Sequence, residues 1–181
     1  MVPTLAGDVR LLDTLRSLRE QRYDSLTIVV VDNSGCGRAR RLGVDPVACR
    51  LIENEANVGF GAAVNQGFRL APASYLGTLN DDAVAHPAWL ERLVGELEHR
   101  PDAGMAASRI VLRGGGLDSA GLVMARDGSS KQRGHREDPA AWAEPGDALA
   151  PSGCAALYRG AMLKDIGLFD EEFFLYCEDT D

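Results

Sequence analysis

At 181 residues the chain has the length of one domain able to bury a full core. An apolar content of 45% and a charged content of 25% are those of an ordinary globular protein, and a formal charge of −8 argues against a nucleic-acid polymer as partner, since phosphate backbones need a basic stripe. No apolar run approaches the roughly 20 residues of a membrane span, and the opening residues do not read as a signal peptide. Cys36, Cys49, Cys154 and Cys177 form no C-x-x-C pair and no zinc-finger spacing, so they read as the reduced thiols of a cytosolic protein.

Met1-Val2-Pro3-Thr4 reads as the tail of a strand whose start is missing. Asp8 can cap a helix running to about Gln21, with Leu11, Leu15 and Leu18 on one face. Leu26 to Val31 is a β-branched run without alternation, the pattern of a strand covered on both faces. A turn at Asp32-Asn33-Ser34-Gly35 follows, then a short helix over 38–42 and a short strand over 49–52. The stretch 61–70 predicts a helix packed closely on a sheet, and 75–79 a buried strand ending in Asn80-Asp81-Asp82. Pro87 suits the first turn of a helix that turns Leu90, Leu93, Val94 and Leu97 inward. Residues 104–112 read as one strand stopped by Gly114-Gly115-Gly116, and 125–150 as a loop without periodicity. A strand over 155–158 and a short helix over 161–166 close the series. Strands alternating with helices predict an α/β domain with a largely parallel sheet, whose ligands bind at the carboxyl ends of the strands. Asp181 stops the chain inside an acidic motif, so the sequence reads as a fragment truncated at both ends.

Four segments carry chemistry. Asp32, directly after a strand, can accept two hydrogen bonds from a base or a ribose, or can cap a turn. In Asn57-Val58-Gly59-Phe60-Gly61 the glycines permit close backbone approach before a helix, whose free N–H groups attract anions; tight helix-on-sheet packing explains them equally. Asn80 and Asp82, spaced i and i+2 after a strand, can share one hard cation that bridges the phosphates of a nucleotide diphosphate, or Asp82 can cap the next helix. Glu178-Asp179 follows Phe173-Phe174-Leu175-Tyr176; a carboxylate partly buried there has the raised pKa of a useful general base, unless the pair serves as a cap or salt bridge.

Taken in order, Val29-Val30-Val31-Asp32-Asn33-Ser34, Glu53 to Gly61, Ala63-Val64-Asn65-Gln66-Gly67, Leu79-Asn80-Asp81-Asp82, Ser152 to Leu157 and Ile166 to Asp181 resemble family 2 glycosyltransferases of the GT-A fold, in particular the rhamnosyltransferase-like branch. The resemblance implies one GT-A catalytic domain, a mostly parallel Rossmann-like sheet flanked by helices. Its nucleotide-binding half would span about 1–100 and its acceptor side about 101–181. It further implies a metal-dependent, inverting transfer of a sugar, rhamnose first, from a dTDP-, UDP- or GDP-linked donor to a hydroxyl of a cell-envelope glycan or glycolipid. By the same resemblance Asp179 is the catalytic base and Glu178 its support. Thr4, Asp32, Asn57, Gly59, Asn65, Asp81, Ser152 and Gly153 contact the nucleotide sugar. Asp82 and Asn80 hold Mg²⁺ or Mn²⁺ as the family's D-x-D element. The expected place is the cytoplasm, free or peripheral at the inner face of the membrane. Leu5-Ala6 and Asn80 depart from the family's pattern, and His86, His99 and His135 receive no ligand role. Lys131, Arg133 and Arg136 read as a solvated basic loop rather than phosphate ligands. Two other readings remain: a nucleotide-sugar-binding module without turnover, and a nucleotidyltransferase, for which Leu5-Ala6-Gly7-Asp8 lacks the needed phosphate loop.

Overall fold

A computed structural model describes residues 1–180, so Asp181 and any role for it lie outside the described residues. Its centre is the strand β2 (Val29–Asp32), where Val29, Val30 and Val31 are buried on both faces as their lack of alternation predicts. Parallel strands β1 (Val2–Thr4) and β3 (Arg50–Glu53) flank it, with Thr4 opposite Asp32 and Asp32 opposite Glu53. Met1 N donates to Gly77 O at 2.6 Å and Met1 O accepts from Leu79 N at 2.9 Å, the parallel pattern that joins β1 to β4 (Tyr75–Leu79). Beyond β4 the sheet departs from the parallel pattern. The strand β10 (Ala155–Arg159) lies between β4 and β5 (Met105–Ala107) and is antiparallel to both.

Helices cover both faces. Leu11, Leu15 and Leu18 of α1 (Arg10–Arg19) enter the cluster built on Val2 and Val30, each fully buried leucine contributing about 1.5–3 kcal/mol. Asp8 accepts the Arg10 amide at 2.8 Å before that helix. Gln21, where the helix was expected to end, instead ties α1 to α4 (Trp89–His99), donating to Ser17 O and His86 O and accepting from Leu90 N. Val64 and Phe68 of α3 (Phe60–Leu70) meet Ala156, Tyr158 and Leu163, the last from α5 (Gly160–Ile166). Phe68, Tyr158 and Phe169 form an aromatic trio with centroids 5.5–6.4 Å apart.

One expectation fails and another is refined between 104 and 150. The single strand expected over 104–112 breaks after Ala107, where the buried Ser108 hydroxyl accepts Trp89 Nε1 at 2.7 Å, and resumes as β6 (Ile110–Val111). The loop expected over 125–150 holds apart from one short strand and one 3₁₀ turn, and hairpins lead into it. β6 pairs with β7 (Leu117–Ser119), β8 (Leu122–Met124) pairs with β9 (Ser130–Gln132), and a short 3₁₀ turn covers Pro139–Trp142. β9 is polar and exposed, so no apolar alternation announces it; its register comes from the turn at Asp127-Gly128, where Asp127 accepts the Ser129 amide at 3.0 Å. Arg133, expected in solvent, lies 4.6 Å above the Trp142 ring and donates to Ala120 O.

Asp32 is fully buried, and both its oxygens are taken by the backbone of the turn that leads to α2 (Arg38–Leu42): Oδ1 by Ser34 N and Oδ2 by Ala39 N, each at 2.8 Å. Asp32 thus closes the turn and caps the helix, a correction to its reading as a base or ribose contact. Asp32→Ala would leave two N–H groups unpaired next to the core. A loss of about 1–3 kcal/mol in denaturant stability is expected; an unchanged midpoint would contradict this role.

Candidate active site

The carboxyl ends of β1 and β4 lie side by side and carry the first acidic group. The Thr4 hydroxyl accepts the Ala6 amide at 2.7 Å and donates to Asp81 Oδ2. Burial pushes the Asp81 carboxyl above its ordinary value, against the opposing effect of the Thr4 bond. Asp82 points outward, where Arg10 reaches it at 3.1 Å while holding Asp8 at 2.7 Å with another nitrogen. The backbone N–H of Asn80 donates to Cys154 O at 2.8 Å, which fastens the end of β4 to the approach of β10. The Cys154 thiol, pushed up to about 11 by burial, also feels the charge of Asp82.

The second acidic group arrives from the end of the chain. Asp179 Oδ2 accepts the Gly153 amide at 3.0 Å. A Cβ at Gly153 would stand 3.2 Å from the Phe60 ring and 3.7 Å from Asp179 Cβ, so a larger residue would crowd this contact. Glu178 is only 9% exposed and its Oε2 has no hydrogen-bond partner. Burial, and then the neighbouring Asp179 charge, push its carboxyl above the ordinary range. Tyr158 faces the same pair: its phenol is raised by burial and further by Asp179 and Glu178. Thr78 adds a buried hydroxyl next to the Tyr158 phenol. Ser152 is buried and accepts the Cys154 amide at 3.4 Å. Since Gly153 holds Asp179 and Cys154 holds Asn80, both acidic groups border residues 152–154 at one edge of the sheet.

The structure does not bring every expected contact to that edge. Asn65 is fully buried; its amide donates to Phe169 O at 2.8 Å and Glu171 Oε1 at 3.0 Å and accepts from Phe169 N at 3.2 Å, leaving nothing for a nucleotide. Gly59, with φ of +89°, makes room for protein: a Cβ there would lie 2.5 Å from Phe174 O. Asn57 is exposed and accepts the Gly59 amide at 3.0 Å. Arg10, Thr78 and Tyr158 were not anticipated; the signals were a base two residues after Asp8 and hydroxyls inside apolar strands. Among the described residues no group of three or more His, Cys, Asp or Glu side chains forms a ready metal cage, and no helix is long and apolar enough to cross a membrane. Cavities of about 450 and 850 Å³ lie elsewhere, the first beneath Tyr75–Leu79 and the second along α4.

Comparisons with known proteins agree with this architecture. The family described as Glycosyl transferase family 2 matches residues 1–167, a span that stops before Glu178 and Asp179. A glucosyl-dolichyl phosphate glucuronosyltransferase of Haloferax volcanii is 28% identical over 104 residues, 55% of this chain and 33% of its own length. An uncharacterized glycosyltransferase of Haemophilus influenzae is 26% identical over 91 residues, 48% of this chain and 28% of its own. The chain thus matches about a third of the length of these curated relatives. Among solved structures, Pyrobaculum calidifontis mannosyltransferase PcManGT, in complex with GDP-Man and Mn²⁺, superposes with a TM-score of 0.65 at 19% identity, covering 94% of this chain and 46% of that one. TarS of S. aureus, also solved with UDP, gives 0.67 at 20% identity over 98% of this chain and 51% of that one. At such identities these structures speak for the GT-A fold, and the family match over most of the chain settles the membership: the chain belongs to glycosyl transferase family 2.

Proposed function

We propose that this domain carries the site of a metal-dependent, inverting glycosyltransferase. The observation that carries the proposal is the pair of backbone bonds at 153–154, one to Asp179 and one to Asn80, which set a candidate base beside a candidate diphosphate site. In the proposed step, Asp179 takes the proton of an acceptor hydroxyl as its oxygen attacks the anomeric carbon. The bond from that carbon to the diphosphate oxygen breaks, and the nucleoside diphosphate leaves with the electron pair. Glu178 supports the base from its buried position, and the Gly153 amide orients it. Thr4, Asp81, Asn57 and Ser152 border the donor. Residues 1–100 serve as the nucleotide side and 101–181 as the acceptor side.

Asp82 and Asn80 offer two oxygens on an open edge, which fits a cation that takes the rest of its shell from diphosphate and water. Mg²⁺ or Mn²⁺ held there would neutralise charge on the departing diphosphate. The Mn²⁺ and GDP-Man of the Pyrobaculum neighbour support this choice of cofactor and donor class. The Haloferax relative, named for a glucosyl-dolichyl phosphate, supports a glycolipid acceptor. Rhamnose stays the first donor sugar by resemblance.

Asp82→Ala is expected to abolish the gain in UDP or GDP affinity that Mn²⁺ confers in calorimetry; equal affinities with and without Mn²⁺ in the native protein would remove the metal assignment. Asp179→Asn in the full-length protein should keep donor binding and lower transfer by about 10²-fold or more, and near-normal transfer would take Asp179 out of the role of base. Glu178 supplies a pH test. Its pKa is raised on folding, so stability linked to its neutral form is complete below the ordinary glutamate value of about 4.3 and is lost as pH rises through the folded value. Glu178→Gln should therefore melt with the native protein near pH 4 and increasingly above it toward pH 7. A pH-independent difference would contradict the buried, unpartnered carboxyl.

A further inference from the structure

The acidic and aromatic segment from Phe169 to Asp179 docks on the first turns of α3, and the contacts are specific. At its start, the Asn65 amide closes a two-way pair with the Phe169 backbone and adds a bond to Glu171, which also receives Arg69 at 2.9 Å. In its middle, Phe60 N, the first amide of α3, donates to Phe174 O at 2.9 Å, and Gly59 has no Cβ to block that carbonyl. Gly61 lets the segment pass: a Cβ there would meet Phe169 Cβ at 3.3 Å, Asp170 O at 3.4 Å and Glu178 Cβ at 3.8 Å. At its end, Asp179 reaches Gly153. An Asn inside a helix is unfavourable for the helix and costly to bury, unless its amide is used. Here it is used entirely on the backbone and side chain of residues about a hundred positions away.

We infer that Asn65 is a positioning residue: by pairing with Phe169 and Glu171 it fixes where the segment starts and thereby where Glu178 and Asp179 stand. Gly59 and Gly61 complete the seat. The inference rests on the proposed role of Asp179 as base, and assigns to the glycine and asparagine motif of α3 the placing of that base rather than contact with phosphate.

The test is made in the full-length protein with Asn65→Asp, Asn65→Asp combined with Glu171→Gln, and Gly61→Ala. Asn65→Asp loses both donors and sets a second carboxylate beside Glu171. Adding Glu171→Gln restores a donor–acceptor pair with the roles exchanged. Gly61→Ala favours the helix while placing a methyl group against the segment. Hydrogen exchange should rise about tenfold or more over 168–179 in Asn65→Asp, with β2 still protected. With Mn²⁺ and whichever of the UDP-, GDP- and dTDP-linked sugars the native protein turns over, kcat should fall about 10–100-fold at unchanged donor KM, as expected for a misplaced catalytic group. The double variant should recover part of both, because the bond to Phe169 O and the Arg69 pair stay lost, and Gly61→Ala should lower kcat without lowering the melting temperature. Unchanged exchange over 168–179 in Asn65→Asp would overturn the inference, as would equal loss of protection in β2 with no recovery in the double variant. If Asp179→Asn transfers normally, it is the base assignment that fails, and the exchange pattern alone then decides whether Asn65 anchors the segment.

Discussion

The hydrogen bond from the Asn80 amide to the Cys154 carbonyl is the contact on which the site depends. It exists because β10 runs against β4, with Ala155 opposite Leu79, so β10 begins where β4 ends. A parallel strand of the same 5 residues would enter the sheet at the opposite edge and place 152–154 about 16 Å away. The antiparallel exception in an otherwise parallel sheet is therefore what brings Gly153, and with it Asp179, to the edge that already holds Asn80 and Asp82.

That edge gathers acids in a chain of formal charge −8, and each is accommodated differently. Asp8 and Asp82 share Arg10, and Asp81 takes the Thr4 hydroxyl. Asp179 takes a backbone amide, while Glu178 is buried with one oxygen unpaired. Burial favours the neutral form of Glu178, and a neutral Glu178 places no like charge next to Asp179. The two adjacent carboxyls thus have unlike surroundings, which suits the roles proposed for them as base and support.

Most of the frame was legible because it rests on patterns that depend on few residues. The valine run of β2, the leucine spacing of α1 and the stretch of β4 each define an element with little help from elsewhere. What was not legible depends on distant partners. β9 carries no apolar signal, and the break at Ser108 is tied to an indole nineteen residues away in sequence. Asp32 shows the same limit in the site. Its position at the end of a strand suits either a ligand or a cap, and only the amides of Ser34 and Ala39 decide for the cap. Asn65 inside a helix and Gly59 before it are unfavourable choices by propensity, but nothing local says that their partner is the segment at the far end of the chain.

The occupation of the α3 start has a consequence for how a donor diphosphate would be held. A helix N-terminus attracts phosphate through free amides, yet the first amide of α3 already serves Phe174 O and the Gly59 amide serves Asn57. Arg10, the cation beside Asp81 and Asp82, is engaged with Asp8 and Asp82. A diphosphate approaching this edge would otherwise meet carboxylates, so its charge calls either for a cation shared with Asp82 or for Arg10 to turn from Asp82 toward the phosphates. Arg10 holds only Oδ2 of Asp82, so a cation could use Oδ1 with the pair intact, whereas turning Arg10 toward the phosphates would require the Arg10–Asp82 pair to break. Exposed on both sides, that pair is a weak one to break.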